Sequence, residues 1–273
     1  MKRFALLIVT ALFAAVVSCG GNANKTNETI VSIKTDFGEI KVKLYNDTPK
    51  HKENLIKLIK DGFYDDLLFH RVINNFMIQG GDPNSKNAGP DAMLGSGGPG
   101  YTIPAEILPN HFHKKGALAA ARLGGPKNPG KESSGSQFYI VQGRVFRPGE
   151  LDSMNVIINN QRKEIMMREQ FNVEKSKFDS IRGKNDPAGF NILVAELRTK
   201  VDSMYAAGPQ FTLTDEQREI YSTVGGYPSL DGEYTVFGEV VEGLDVLDKI
   251  AAVNTNKANR PVEDVRMKIE IIK

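Results

Sequence analysis

The stretch Phe69–Asp82, "FHRVINNFMIQGGD", decides how this chain is read. Aliphatic and aromatic residues crowd it, and residues 67–79 read as a buried strand. Arg71 sits among them and Gln79 follows, and polar groups of this kind are seldom buried without partners. Two readings fit. Arg71 lays its stem on apolar surface and reaches solvent, or the strand presents a guanidinium to something that needs one.

Working outward, residues 80–104 are rich in Gly and Pro and predict a long irregular loop. Upstream, "TIVSIKTDFGEIKVKLY" (29–45) alternates apolar and polar residues around "TDFG" and predicts a β-hairpin. "DTPKHKENLIKLIKDGFY" follows, with Asp47 or Thr48 to cap, Pro49 in the first turn and an apolar stripe of Leu55, Ile56 and Ile59, so a helix is expected. "GALAAAR" (116–122), "SQFYIVQ" (136–142), "EYTVFGEVV" (233–241) and "VRMKIEIIK" (265–273) are strand candidates, and "GLDVLDKIAAV" (243–253) a helix. Many short strands with few helices predict a closed barrel or a sandwich.

Residues 147–226 break this pattern. Leu151, Met154, Ile158 and Ile165 recur at near-helical spacing, as do Leu193, Leu197, Val201 and Met204, and "TDEQREIY" opens with a Thr-x-x-Gln capping box. A mainly helical insertion is expected between two strands. Its apolar faces must pack on one another, on the barrel or on a client; packing on one another is the favoured reading.

The N-terminus reads as an address. "MKR" is a positive start, "FALLIVTALFAAVV" an apolar run too short for a secure membrane span, and "VVSC" its close, so residues 1–18 are expected to be a signal peptide. Cys19, the only cysteine, ends a segment that resembles the bacterial lipobox; lipidation there would anchor the chain to a membrane through a small, polar tether, 19–28. Gly20 is not the aspartate that holds many lipoproteins at the inner membrane, which favours a cell-envelope address on the outer membrane facing the periplasm. The formal charge of +2 includes Lys2 and Arg3, and without them it is 0, which argues against a nucleic-acid partner. "GSGGPG" lacks the Lys-Ser/Thr of a phosphate loop, and "SSGSQF" is not a nucleophile elbow. His111 and His113 in "HFH" have no carboxylate or cysteine at ligand spacing, and read as a solvated loop or local packing rather than a metal site. Met166 and Met167 read as a helix core face.

Taken in order, "FHRV…FMIQGGD", "GSGGPGYTIPAE", "SSGSQFYI" and "LDGEYTVFGEVVEG" resemble the cyclophilin-type peptidyl-prolyl cis–trans isomerases, across residues 30–146 and about 227–273. The resemblance implies an eight-stranded antiparallel β-barrel, closed and capped by helices at 48–61 and 243–253, within a domain of residues 29–273 that carries the 147–226 insertion. It implies an enzyme without metal or cofactor, acting on X-Pro bonds of unfolded or proline-containing exported polypeptides, and expected here as a monomer. Arg71 falls on the family's catalytic arginine. Phe76, Met77 and Gln79 fall on residues lining or edging the proline pocket. Ala121, Arg122 and Gln137 fall on the groove for the substrate backbone, Tyr139 and Leu230 on the pocket wall, and Tyr234 on a substrate-binding position where many relatives carry a histidine. His70 is read as a structural support. Tyr139 stands for a common phenylalanine, Arg122 for an asparagine and Tyr234 for a histidine, and Ser229 replaces the tryptophan that in animal relatives contacts cyclosporin, so weak cyclosporin binding is expected. The alternatives are a proline-binding module with little turnover and a periplasmic chaperone that works through its insertion.

Overall fold

The computed structural model describes residues 28–125 and 127–273. The expected signal peptide, and the tether with Cys19 up to residue 27, lie outside the described residues. Alternating residues make the hairpin of β1 (Thr29–Thr35) and β2 (Gly38–Leu44), in register from Thr29 opposite Leu44 to Thr35 opposite Gly38. β3 (Leu67–Leu68), β4 (Arg71–Ile73), β5 (Met77–Gly80), β7 (Ala117–Ala120), β9 (Phe138–Val141), β10 (Val236–Glu242) and β11 (Arg266–Ile271) complete a nine-stranded antiparallel sheet, ordered β3-β11-β1-β2-β10-β7-β9-β5-β4. β6 (Thr102–Ile103) and β8 (Ser133–Ser134) form a separate two-stranded ribbon.

The sheet is curled but open, which corrects the expected closed eight-stranded barrel. The reason lies in the strand expected over 67–79. It breaks at Phe69–His70 and turns back at Asn74–Phe76, so that β3 pairs with β11 while β4 and β5 pair with each other. The two outermost strands are therefore neighbours in sequence, joined by Phe69–His70 and not by a ladder of hydrogen bonds.

Inward-facing residues such as Val31, Ile40, Val42, Leu118, Ile140 and Ile269 fill the curl. Two helices close it: α1 (Pro49–Lys60) through Leu55 and Leu58, and α6 (Leu244–Ala251) through Leu247 and Ile250. Thr48 stands at the N-cap of α1 but makes no side-chain cap; the Glu106 carboxylate accepts from the Lys50 and His51 amides instead.

The insertion comprises α2 (Pro148–Val173), α3 (Lys175–Gly183), α4 (Pro187–Ala207) and α5 (Asp215–Thr223), the last with the expected Thr214–Gln217 capping box. Its ends meet: Arg144 and Gly226 exchange backbone hydrogen bonds of 3.2 and 3.0 Å. The helices pack in two places. Leu151 and Ile158 join Phe146, Phe211, Leu213 and Tyr221 against Phe112 of the sheet domain. Farther out, Phe178, Leu193 and Leu197 gather Met167 and Phe171. Ile158 and Met167 are nine positions apart, about half a turn round a helix, so the two halves of α2 bury opposite faces. Ile165, expected on the buried stripe of α2, is thus exposed, and on α4 Met204 is exposed as well.

Candidate active site

Sheet register assembles the site. Arg71 on β4 lies opposite Gln79 on β5, Gln79 opposite Tyr139 on β9, and Tyr139 opposite Ala119 on β7. Side chains alternate across a sheet. This row therefore shares one face, while Ile78, Ile140 and Leu118 point into the core. The outer face carries its own apolar cluster of Met77, Ala117, Ala119, Tyr139, Val141 and Val236, with Phe76, Ala121, Leu230 and Tyr234 packed against it.

A cavity of about 160 Å³ opens on this face. Arg71 and Gln79 stand on one side, Phe76, Met77 and Tyr139 form its wall, and Ala121, Arg122, Leu230 and Tyr234 complete it. Nine of the ten residues named from the sequence for catalysis or substrate binding thus line one hole. The tenth, Gln137, does not line it but acts beside it. A directed chain of hydrogen bonds runs from Arg71 Nη1 to Gln79 Oε1 (3.1 Å), from Gln79 Nε2 to Gln137 Oε1 (3.0 Å), and from Gln137 Nε2 to the Gly97 carbonyl (2.7 Å). Each amide has its oxygen accepting and its nitrogen donating, so the chain aims the guanidinium and leaves its other donors free of it. The loop that supplies Gly97 is held by Asp82, whose carboxylate accepts from the Asn84, Gly95 and Gly97 amides.

Opposite, Arg122 is committed elsewhere. Its Nε donates to the Glu233 carbonyl (2.8 Å), its Nη2 pairs with the Glu233 carboxylate (3.2 Å), and its guanidinium lies 4.6 Å from the Tyr234 ring centre. Tyr139 is buried, and burial above all pushes its phenol well above the usual tyrosine range, so the group is a neutral donor. Its hydroxyl lies 2.9 Å from His113 Nε2.

Three residues beside the cavity went unassigned in the sequence. The Tyr227 ring lies 4.3 Å from that of Phe76. Asp231, next to Leu230, is buried. His113, read as belonging to a solvated loop or local packing, is fully buried and joins Asp231 to Tyr139. Only the adjacency of Asp231 to Leu230 offered a signal. His70 is also buried, and neither ring nitrogen has a hydrogen-bond partner among the described residues.

The arrangement suits a small apolar ring set against an aimed cation. The family model described as "Cyclophilin type peptidyl-prolyl cis-trans isomerase/CLD" matches residues 30–160 and 149–271. Relatives named "Putative peptidyl-prolyl cis-trans isomerase" in Staphylococcus epidermidis and Staphylococcus haemolyticus are each 30% identical, over 88% of this chain and 89% and 88% of their own length. The fold is similar to the crystal structure of a Cryptosporidium parvum cyclophilin type peptidyl-prolyl cis-trans isomerase, at 21% identity and a TM-score of 0.52, over 90% of this chain and 98% of that one. A second structure of that protein, obtained in the presence of the dipeptide Ala-Pro, aligns with a TM-score of 0.50.

Proposed function

Because the chain belongs to the cyclophilin-type peptidyl-prolyl cis–trans isomerases, we propose that it turns X-Pro bonds in the cavity beside Arg71. Rotation about a peptide bond meets a barrier of roughly 18–20 kcal/mol, and uncatalysed X-Pro exchange takes tens of seconds or more. No bond breaks, so catalysis consists of holding the twisted amide better than either planar form. When resonance is lost, the prolyl nitrogen gains a lone pair that the planar amide does not offer. Arg71, aimed by Gln79, donates to that nitrogen. Phe76, Met77, Tyr139 and Leu230 grip the ring and exclude water, which strengthens the contact. Ala121, Arg122, Gln137 and Tyr234 border the path of the substrate backbone.

The observation that carries this reading is the single cavity that gathers Arg71 with the apolar wall, beneath a guanidinium oriented by two glutamines. Arg71→Ala should lower kcat for cis–trans exchange of an Ala-Pro peptide, followed by NMR, by about a hundredfold, with little change in peptide affinity. Full activity in the variant would remove Arg71 from the mechanism.

The clients we infer are exported, unfolded or proline-containing chains, met by an enzyme tethered through a lipid on Cys19 at the periplasmic face of the outer membrane. The signal-like N-terminus and the "VVSC" segment support this. Cells fed a tagged fatty acid should label the wild-type protein and not Cys19→Ala; equal labelling would rule the anchor out.

A further inference from the structure

The insertion reaches the proposed proline cavity through one buried carboxylate. Asp231 follows directly on the wall residue Leu230, at the end of the turn Pro228–Leu230. Its Oδ1 accepts from the His113 backbone amide (2.8 Å) and from His113 Nδ1 (2.9 Å). Its Oδ2 accepts from the Tyr221 hydroxyl (2.7 Å) and from Gln217 Nε2 (3.3 Å), both on α5. Its backbone carbonyl accepts from Arg162 of α2 (3.3 Å). In the neutral imidazole Nδ1 is then the donor, and Nε2 is left to accept from the Tyr139 hydroxyl (2.9 Å). An unbroken line of four groups, Tyr221–Asp231–His113–Tyr139, runs from the insertion to the cavity wall, and all four residues are buried.

We propose that Tyr221, Asp231 and His113 are positioning residues for isomerisation, through which helix α5 of the insertion fixes the Tyr139 wall of the proline cavity. The inference rests on the assignment of that cavity as the site of turnover. Its physical basis is the stringency of buried polar networks: with four hydrogen bonds to its side chain Asp231 is satisfied, and removing one donor leaves charge uncompensated in a low dielectric. The strain of such a loss falls on the groups that share the carboxylate, and His113 and Leu230 both bear on the cavity. Two features that depart from the expected pattern, the insertion and the hydroxyl of Tyr139, are the two ends of this line.

A double-mutant cycle tests it. Tyr221→Phe keeps the ring and removes the donor. In the wild-type background it should lower kcat/KM for an Ala-Pro peptide by about fivefold. The loss should fall on KM, because the wall grips the proline ring in planar and twisted amides alike. In a Tyr139→Phe background the same substitution should change kcat/KM by less than about twofold, since the line no longer reaches the wall. A merely structural Tyr221 would give the same effect in both backgrounds. If Tyr221→Phe does not fold, Gln217→Leu, which removes the other α5 donor to the same oxygen, enters the cycle in its place. Unchanged kcat/KM in the single variant, or equal losses in both backgrounds, overturns the proposal. Arg71→Ala, assayed alongside, separates the premises: loss of its kcat leaves the cavity assignment standing whatever the tyrosines do, and full activity withdraws that assignment and this inference together.

Discussion

His70 is the residue whose chemistry is least expected from its neighbourhood. It precedes Arg71, is 4% exposed, and has no hydrogen-bond partner for either ring nitrogen among the described residues. Burial pushes its pKa down to about 4, outweighing the opposing pull of the Asp82 carboxylate and of the nearby Leu68 backbone, while Arg71 and Arg260 add to the depression. The folded protein thus keeps the ring neutral where the unfolded chain takes up a proton. Below the ordinary value near 6.5, the unfolded state binds more protons, so stability falls as pH drops from there to about 4. The loss from this one group reaches roughly 3 kcal/mol. Urea unfolding at pH 7 and pH 4.5 should show wild type losing more stability than His70→Gln; parallel losses would mean that the ring is not held neutral. Sequence reasoning placed His70 as a support but had no means to see this, because desolvation depends on what folds over a residue. It could reach Arg71, Gln79 and Tyr139 because the motifs around them resemble those of the cyclophilin family, while their sharing one face follows from the sheet register.

At the scale of elements, what was legible followed a single period. The hairpin of β1 and β2, helices α1 and α6, and the strands at 117–120, 138–141, 236–242 and 266–271 all fall where alternation or a helical stripe predicted them. Two elements escaped because their environment changes along their length. The stretch 67–79 reads as one strand, yet a turn at Asn74–Phe76 folds it into the β4–β5 hairpin and Phe69–His70 sends β3 to the opposite end of the sheet. Helix α2 reads as one amphipathic face, yet it serves the sheet domain with Leu151 and Ile158 and the outer helices with Met167 and Phe171. A periodicity argument averages over an element, and an element with two partners defeats the average. The cap of α1 escaped for a different reason: Glu106 comes from far along the chain, and local rules see only Thr48.

At the scale of the molecule, the insertion divides into a near part and a far part. The near part, with Tyr221, Phe211, Leu213 and the first half of α2, packs on Phe112. The far part, centred on Phe178, packs on itself. Lys163 and Asp202 pair across α2 and α4 at 2.5 Å, near the border between them. Replacing residues 166–199 by a short glycine-containing turn should therefore leave kcat/KM for an Ala-Pro peptide within about twofold of wild type, because the removed groups pack in their own cluster, apart from the one that walls the cavity. A larger fall in the NMR exchange assay would mean that the far helices act on the groove by a route other than α5. The ordering of the sheet has one more consequence. β1, where the sheet begins in sequence, lies between β2 and β11, where the sheet ends. A growing chain can form the β1–β2 hairpin early, but the far side of β1 and the ladder partner of β3 arrive with residues 266–271. Pairings so distant in sequence carry a high loop-closure cost and slow folding. The sheet must thus wait, in synthesis, for a strand that follows the whole insertion.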